Sequence, residues 1–233
     1  MKYIELQEAF ELEIAKLDDN LTKPTTSDIE YWLMAGLDKF IKTRYSGINY
    51  KRTGFEQDQK RIDDLRTLVS TQTSIFTAYP EEYTVQLPSN YMFTLGETAV
   101  IFSNDKCWPK DANGNAKTKN TDVLEATIEN IDSQRQNSLS PYRLHGNTAR
   151  PLRLYQGNEI HLYTDGNYNI KNYLLTYLRT PNRISLTSAP FEKYTDMPES
   201  THQEIVKIAA ELYLENQASP RYQSYLNEVA SME

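Results

Sequence analysis

The hydrophobic period changes twice along this chain, and that change limits the fold more than any other feature. Up to about residue 70, apolar residues recur at helical spacing. From Tyr83 they alternate, and near residue 198 the helical spacing returns. A period of 3.6 puts one stripe of a helix in a core, whereas a period of 2 does the same for one face of a strand. Helices at both ends with strands between them define an α+β chain: N-terminal helices, a central, mostly antiparallel β-sheet region, and C-terminal helices. The spacing predicts a helical part over 1–70, a β-rich part over 80–186 and C-terminal helices over 198–233. With 233 residues, enough to bury a core without disulfides or metals, the expectation is a single domain spanning 1–233.

Three helices are predicted in the first part. Residues 3–17 place Ile4, Leu6, Phe10, Ile14 and Leu17 near one face. Asn20 to Thr26 is a polar connector with Pro24. Ser27-Asp-Ile-Glu30 reads as a capping box for a helix running to about Tyr45, whose stripe is Ile29, Trp32, Leu33, Leu37, Phe40 and Ile41. Gly47 ends it or opens the next loop. Phe55–Val69, FEQDQKRIDDLRTLV, is an amphipathic helix with Ile62, Leu65, Leu68 and Val69 on its apolar side.

In the central part Tyr83–Leu87 and Met92–Phe102 read as strands. Asn104–Asp122 reads as a loop without periodicity, functional or mobile at that length. Val123–Ile131 reads as a further strand and Arg135–Asn147 as irregular. Leu152–Tyr155, Glu159–Tyr163 and Ile170–Arg179 read as a meander turning at Gly157 and Gly166. Arg183–Leu186 reads as a last short strand. Thr201-His-Gln-Glu204 is a second capping box, with His202 exposed, and Ile205, Val206, Ile208, Ala209 and Leu212 form the apolar face behind it. Ser219-Pro220 starts a tail helix with Tyr225, Leu226 and Val229 on one side.

Composition narrows function by exclusion. Hydrophobic residues are 39% and mean hydropathy is -0.68, so exposed segments or partner surfaces are expected. Tyrosine outnumbers phenylalanine 17 to 7, which suits either half-buried strands or wet interfaces. A net charge of -7 disfavours tight non-specific binding to nucleic acid, although an acidic wall would keep passing DNA from sticking. The lone Cys107 rules out a disulfide framework and a cysteine-rich zinc site. No apolar run reaches the roughly 20 residues of a membrane span, and MKYIELQEAFELEI has no signal-peptide pattern, so synthesis as a soluble cytoplasmic product is expected.

Chemistry is sparse. His145, His161 and His202 stand alone, and no cofactor or metal is expected. Asp111-Ala-Asn113-Gly-Asn115 lacks the glycine and glutamate positions of a calcium loop. Asp63 and Asp64 lie about 100° apart on a helix and do not converge, and ion pairs with Arg66 and Lys60 suit them better than acid–base work. Arg150 and Arg153 beside Tyr155 fit a nucleic-acid contact or solvent-facing arginines at a strand start.

Five stretches, in order, carry more information as a set than singly. They are the Tyr31-Trp-Leu helix ending at Thr43-Arg-Tyr45, FEQDQKRIDDLRTLV, Val85–Tyr91 (VQLPSNY), Leu174–Ile184 (LLTYLRTPNRI), and the Pro198–Gln217 helix closing on Ser219-Pro-Arg221. Together they resemble a family of virion structural proteins from crAss-like tailed bacteriophages that form rings in the head-to-tail connector below the portal. The resemblance implies no catalysis. It implies a homo-oligomeric ring of twelve subunits matching the portal's order, contacts with portal and other connector or tail rings, and genomic DNA passing through without sequence-specific binding. It implies no membrane partner, and it places the protein in the virion. Arg61, Asp64 and Arg66 are then the candidate interface residues, facing neighbours or local ion pairs. A protein-binding adaptor of unrelated origin, working through the Tyr-rich sheet, and an undescribed hydrolase are the alternatives.

Overall fold

In a computed structural model the protein is described over residues 1–17, 23–46, 54–74, 76–79, 81–188, 190–217, 225–227 and 229. Helices occupy both ends and strands the centre, so the α+β expectation holds. Two compact units emerge. A helical unit joins 1–68 to 181–233, and a β unit comprises 69–180.

The helical unit contains α1 (Tyr3–Leu17), α2 (Thr26–Tyr45), α3 (Gln59–Leu65) and α5 (His202–Asn216). α1 buries Leu6, Phe10 and Ile14, and α2 buries Ile29, Leu33, Leu37, Phe40 and Ile41, as the spacing requires. α2 and α5 approach so closely at Gly36 that a Cβ there would lie 2.8 Å from the Ala209 backbone nitrogen. Only glycine fits. α5 is buried nearly all round, through Ile205, Val206, Ile208, Ala209, Ala210, Tyr213 and Leu214.

Both predicted capping boxes fail for one reason. At α2 the cap is Thr25, whose hydroxyl accepts from Asp28 N while the Asp28 carboxylate accepts from Thr25 N. Glu30 is engaged elsewhere: its Oε1 accepts from Leu186 N at 2.7 Å and from Thr187 N at 3.2 Å. That contact also explains why Arg183–Leu186 is no strand, since an amide there goes to a side chain instead of a ladder. At α5 the Thr201 hydroxyl donates to Pro198 O, Glu204 turns to an arginine, and a 3₁₀ turn (Glu199–Thr201) precedes the helix. His202 is buried at 1% exposure, against the expectation of an exposed residue.

The Phe55–Val69 helix is also shorter than its pattern. Asp58 is extended and its side chain accepts from Lys60 N, so α3 starts there after a 3₁₀ turn over Phe55–Gln57. A second 3₁₀ turn covers Arg66–Leu68, and Val69 starts a strand because it pairs with Leu178. Gly47, residues 20–22 of the connector and the Ser219-Pro220 cap lie outside the described residues. Of the tail, 225–227 and 229 are helical, with Tyr225 and Val229 buried but Leu226 exposed.

The β unit has two sheets. One has the order β1 (Val69–Ser74), β9 (Asn169–Arg179), β4 (Tyr91–Phe102), β5 (Lys119–Asp122). The other has the order β2 (Thr77–Tyr79), β3 (Glu82–Gln86), β8 (Glu159–Tyr163), β7 (Leu152–Gln156), β6 (Leu124–Glu125). All pairs are antiparallel except β6 with β7. The predicted meander is therefore broken: β7 and β8 form a hairpin through Gly157 (φ 61), but β9 passes Gly166 (φ 79) and crosses into the other sheet. Its inward residues Ile170, Tyr173, Leu175 and Tyr177, alternate from Tyr173 onward past a register shift, share one core with Val85, Ile101, Ile160 and Leu162, which needs a strand of each sheet.

Two further boundaries move. The 104–122 loop ends in β5, paired to β4, and is anchored by buried Trp108, whose Nε1 donates to Lys117 O at 2.6 Å. The strand expected over Val123–Ile131 shrinks to β6, because Thr127 and Asn130 begin a turn into the short helix α4 (Ile131–Gln136), and that helix lies partly in the stretch read as irregular.

Candidate functional site

The three sequence-derived interface residues separate once the helical unit is folded. Arg61 and Asp64, three apart on α3, share its inner face at 2% and 6% exposure, and Arg66 is exposed. Arg61 Nη1 donates to Thr43 O at 2.9 Å, which satisfies a carbonyl at the negative end of α2. Asp64 Oδ2 accepts from Arg44 Nε at 3.1 Å. Arg44 Nη2 reaches Glu204 of α5, and its guanidinium stacks 4.9 Å from the Phe40 ring centre. One arginine thus bridges two buried carboxylates inside the helical unit. Burial pushes the Asp64 carboxyl up, with Arg44 and Lys60 pulling against it. Asp63 points outward, so the two aspartates diverge as their spacing requires.

Arg44 and Glu204 were not singled out from sequence, yet a signal exists. Arg44 continues the Leu33, Leu37, Phe40 stripe by one more turn. Glu204 and Glu211 flank Ile208 at the same helical spacing, and Glu211 is buried and paired with Lys39 at 2.9 Å. A charge on an apolar stripe, matched by an opposite charge on another stripe, marks a buried pair.

The β unit solves its polar interior differently. Glu97 on β4 accepts from Tyr155 Oη at 2.9 Å and Tyr173 Oη at 2.7 Å, and lies 3.2 Å from Arg153 Nε. Arg153 is buried, stacks 4.3 Å from the Tyr155 ring centre and reaches Glu125 at 3.3 Å. It is neither solvent-facing nor free for nucleic acid. Tyr168 donates to Tyr142 O and Tyr83 to Asn169 Oδ1. Burial raises the phenols of Tyr155, Tyr168 and Tyr173, so they stay protonated donors. In the β unit tyrosines fill these interior positions, and among the described residues the one tyrosine counted with the large exposed hydrophobics is Tyr31, in the helical unit.

No catalytic set gathers among the described residues. No group of three His, Cys, Asp or Glu is placed to hold a metal there. His161 sits between Glu82 (2.7 Å) and Glu159 (3.7 Å), and His145 is exposed. Buried His202 donates from Nε2 to Met197 O, which leaves Nδ1 to accept from the Met1 ammonium at 2.9 Å. Asp111 Oδ1 accepts from the Asn113 and Asn115 amides, so it belongs to a turn and not to a calcium loop. A depression of about 470 Å³ in the β unit is lined by Glu81, Asp132, Arg135, Tyr142, Arg143 and Asp165. Asp165 accepts from Leu144 N and Asn167 N there, and the Arg135 carbonyl accepts from Arg143 and Tyr142. Large exposed apolar residues are Leu12, Tyr31, Ile128, Leu139 and Phe191, with Val69 and Leu226 partly so. No described helix is long and apolar enough to cross a membrane.

The buried ionisable groups described above are paired within the fold. The comparison with family models gives the particular family. The model described as phage tail ring protein 3/4 matches residues 29–220, and the chain belongs to that family of crAss-like phage ring proteins. A search of curated proteins finds no significant match.

Proposed function

We propose that this chain is a non-enzymatic virion protein that closes into a homo-oligomeric ring in the head-to-tail connector, below the portal. Residues 1–233 serve together as one ring subunit, twelve copies match the portal's order, and the genome passes through the channel without sequence-specific contacts. The observation that carries this reading is the family match over 29–220. The charge of -7 supports a conduit that does not retain phosphate. Portal and neighbouring rings are the partners, and Arg66, the exposed member of the Arg61, Asp64, Arg66 set, serves at an interface. Ile128, Leu139 and Phe191 add apolar contact area of the kind a ring interface buries.

Native mass spectrometry of the purified protein, with proteomics and electron microscopy of phage particles, tests the reading. A closed ring of defined copy number at the connector is expected. A strictly monomeric chain missing from particles overturns it.

A further inference from the structure

The two sheets of the β unit end in four edges, and three are blunted. β2 has three residues and β6 two. β5 carries Lys119 and Asp122, and the 147–151 segment lies along it: Lys119 Nζ donates to Asn147 O at 3.2 Å and Thr121 Oγ1 to Ala149 O at 2.9 Å. Short strands, charges and a covering loop are the ordinary means of keeping an edge from pairing with another chain.

Among the described residues β1 shows none of them. Val69-Ser-Thr-Gln-Thr-Ser74 contains no charge, proline or glycine and no bulge, and it runs in unbroken register against Tyr173–Leu178. Val69, Thr71 and Thr73 are exposed. An edge strand turns about half of its N–H and C=O groups away from the sheet. Among the described residues no hydrogen bond reaches those outward groups of β1.

We propose that β1 is a strand-addition edge, on which an extended segment of the neighbouring copy of this chain pairs as the ring closes. The inference rests on the ring reading above. A ring needs a heterologous interface, one surface meeting a different one on the next subunit. Strand addition has that character, because the accepting edge and the donated segment are different parts of the chain. Pairing of β1 with β1 would be isologous and would stop at a dimer. A second copy is the occupant because a ring holds copies side by side, at an effective concentration a free peptide does not reach. The backbone bonds would supply affinity and the small Ser and Thr side chains would let the added strand approach.

Hydrogen exchange of the free subunit and of the assembled ring, together with the Thr71→Lys/Thr73→Lys variant, tests this. The outward amides of 69–74 should exchange freely in the subunit and at least about tenfold more slowly in the ring. The variant should keep its circular dichroism and melting temperature but fail to form rings. Equal exchange of those amides in subunit and ring overturns strand addition and leaves the ring reading standing; this readout uses the unmodified protein, so it decides even if the variant misfolds. A well-folded variant that forms rings as the parent does overturns it likewise. A parent chain that forms no ring, alone or in particles, overturns both.

Discussion

The helical unit and the β unit surround their buried charges differently. The helical unit buries full charges, with Arg44 between Asp64 and Glu204 and Lys39 on Glu211. The β unit gathers phenols, with Tyr155 and Tyr173 both donating to Glu97 beside Arg153. A paired charge is costly to leave alone, because removing its partner strands an ion in low dielectric. A carboxylate held by hydroxyls keeps other donors when one partner goes. The helical unit should therefore be the brittle half, sensitive to single substitutions and to pH, and the β unit the tolerant one.

The sharpest way to break this contrast is to remove one arginine from each unit. Arg44→Met should destabilise the helical unit by ~3–5 kcal/mol, since Asp64 and Glu204 both lose their partner. Arg153→Met should cost only ~1–3 kcal/mol, because Glu97 keeps two tyrosine donors. Urea unfolding followed by hydrogen exchange resolved by unit measures both, and equal losses would end the comparison. Next, Gly36→Ala should cost ~1–3 kcal/mol by overpacking against Ala209, even though alanine favours helix by about 1 kcal/mol. A stabilised variant would mean that α2 and α5 can part without loss.

Smaller still is the cap of α2. Thr25→Ala should cost ~1 kcal/mol and Ser27→Ala almost nothing, read from thermal unfolding. The reverse order would restore the box suggested by Ser27 and Glu30.

The least effect is expected from pH. Burial and the Met1 ammonium hold His202 below the usual histidine range. Below about pH 6.5 the unfolded chain binds a proton that the folded chain does not. Stability that is present above that pH should then be lost as pH falls toward the folded-state value. Asp64 acts in the opposite sense, since its carboxyl is raised by burial and its charged form becomes costly as pH rises through the acid range. Melting temperature against pH should fall below 6.5 for the parent and flatten in His202→Gln. An unchanged slope would remove His202 as its cause.

Much of the fold was legible from residues. Leu6, Phe10 and Ile14, or Leu33, Leu37 and Phe40, cannot all be buried except on helices. Tyr83 and Val85, or Ile160 and Leu162, alternate as strands must. Glycine at 157 and 166 foretold turns with positive φ. The candidate site was legible only in part. Arg61 and Asp64 stood out, but as residues facing neighbours or local ion pairs, because a charged helix face reads the same in sequence whether it meets water or a second helix.

What sequence alone determined was the class, α+β with helical ends, because periodicity is a local property of consecutive residues. It also determined the family, because the five matching stretches keep their order whatever they pack against. Tertiary structure decided where each polar group finds its partner. Glu30 abandons its cap for Leu186, and Glu204 abandons its own for Arg44. Val69 leaves a helical pattern to pair with Leu178, and β9 leaves a meander to join the other sheet. At the two caps a local preference worth about 1 kcal/mol gave way to contacts between residues more than a hundred positions apart, and the strands followed pairings that no local pattern records.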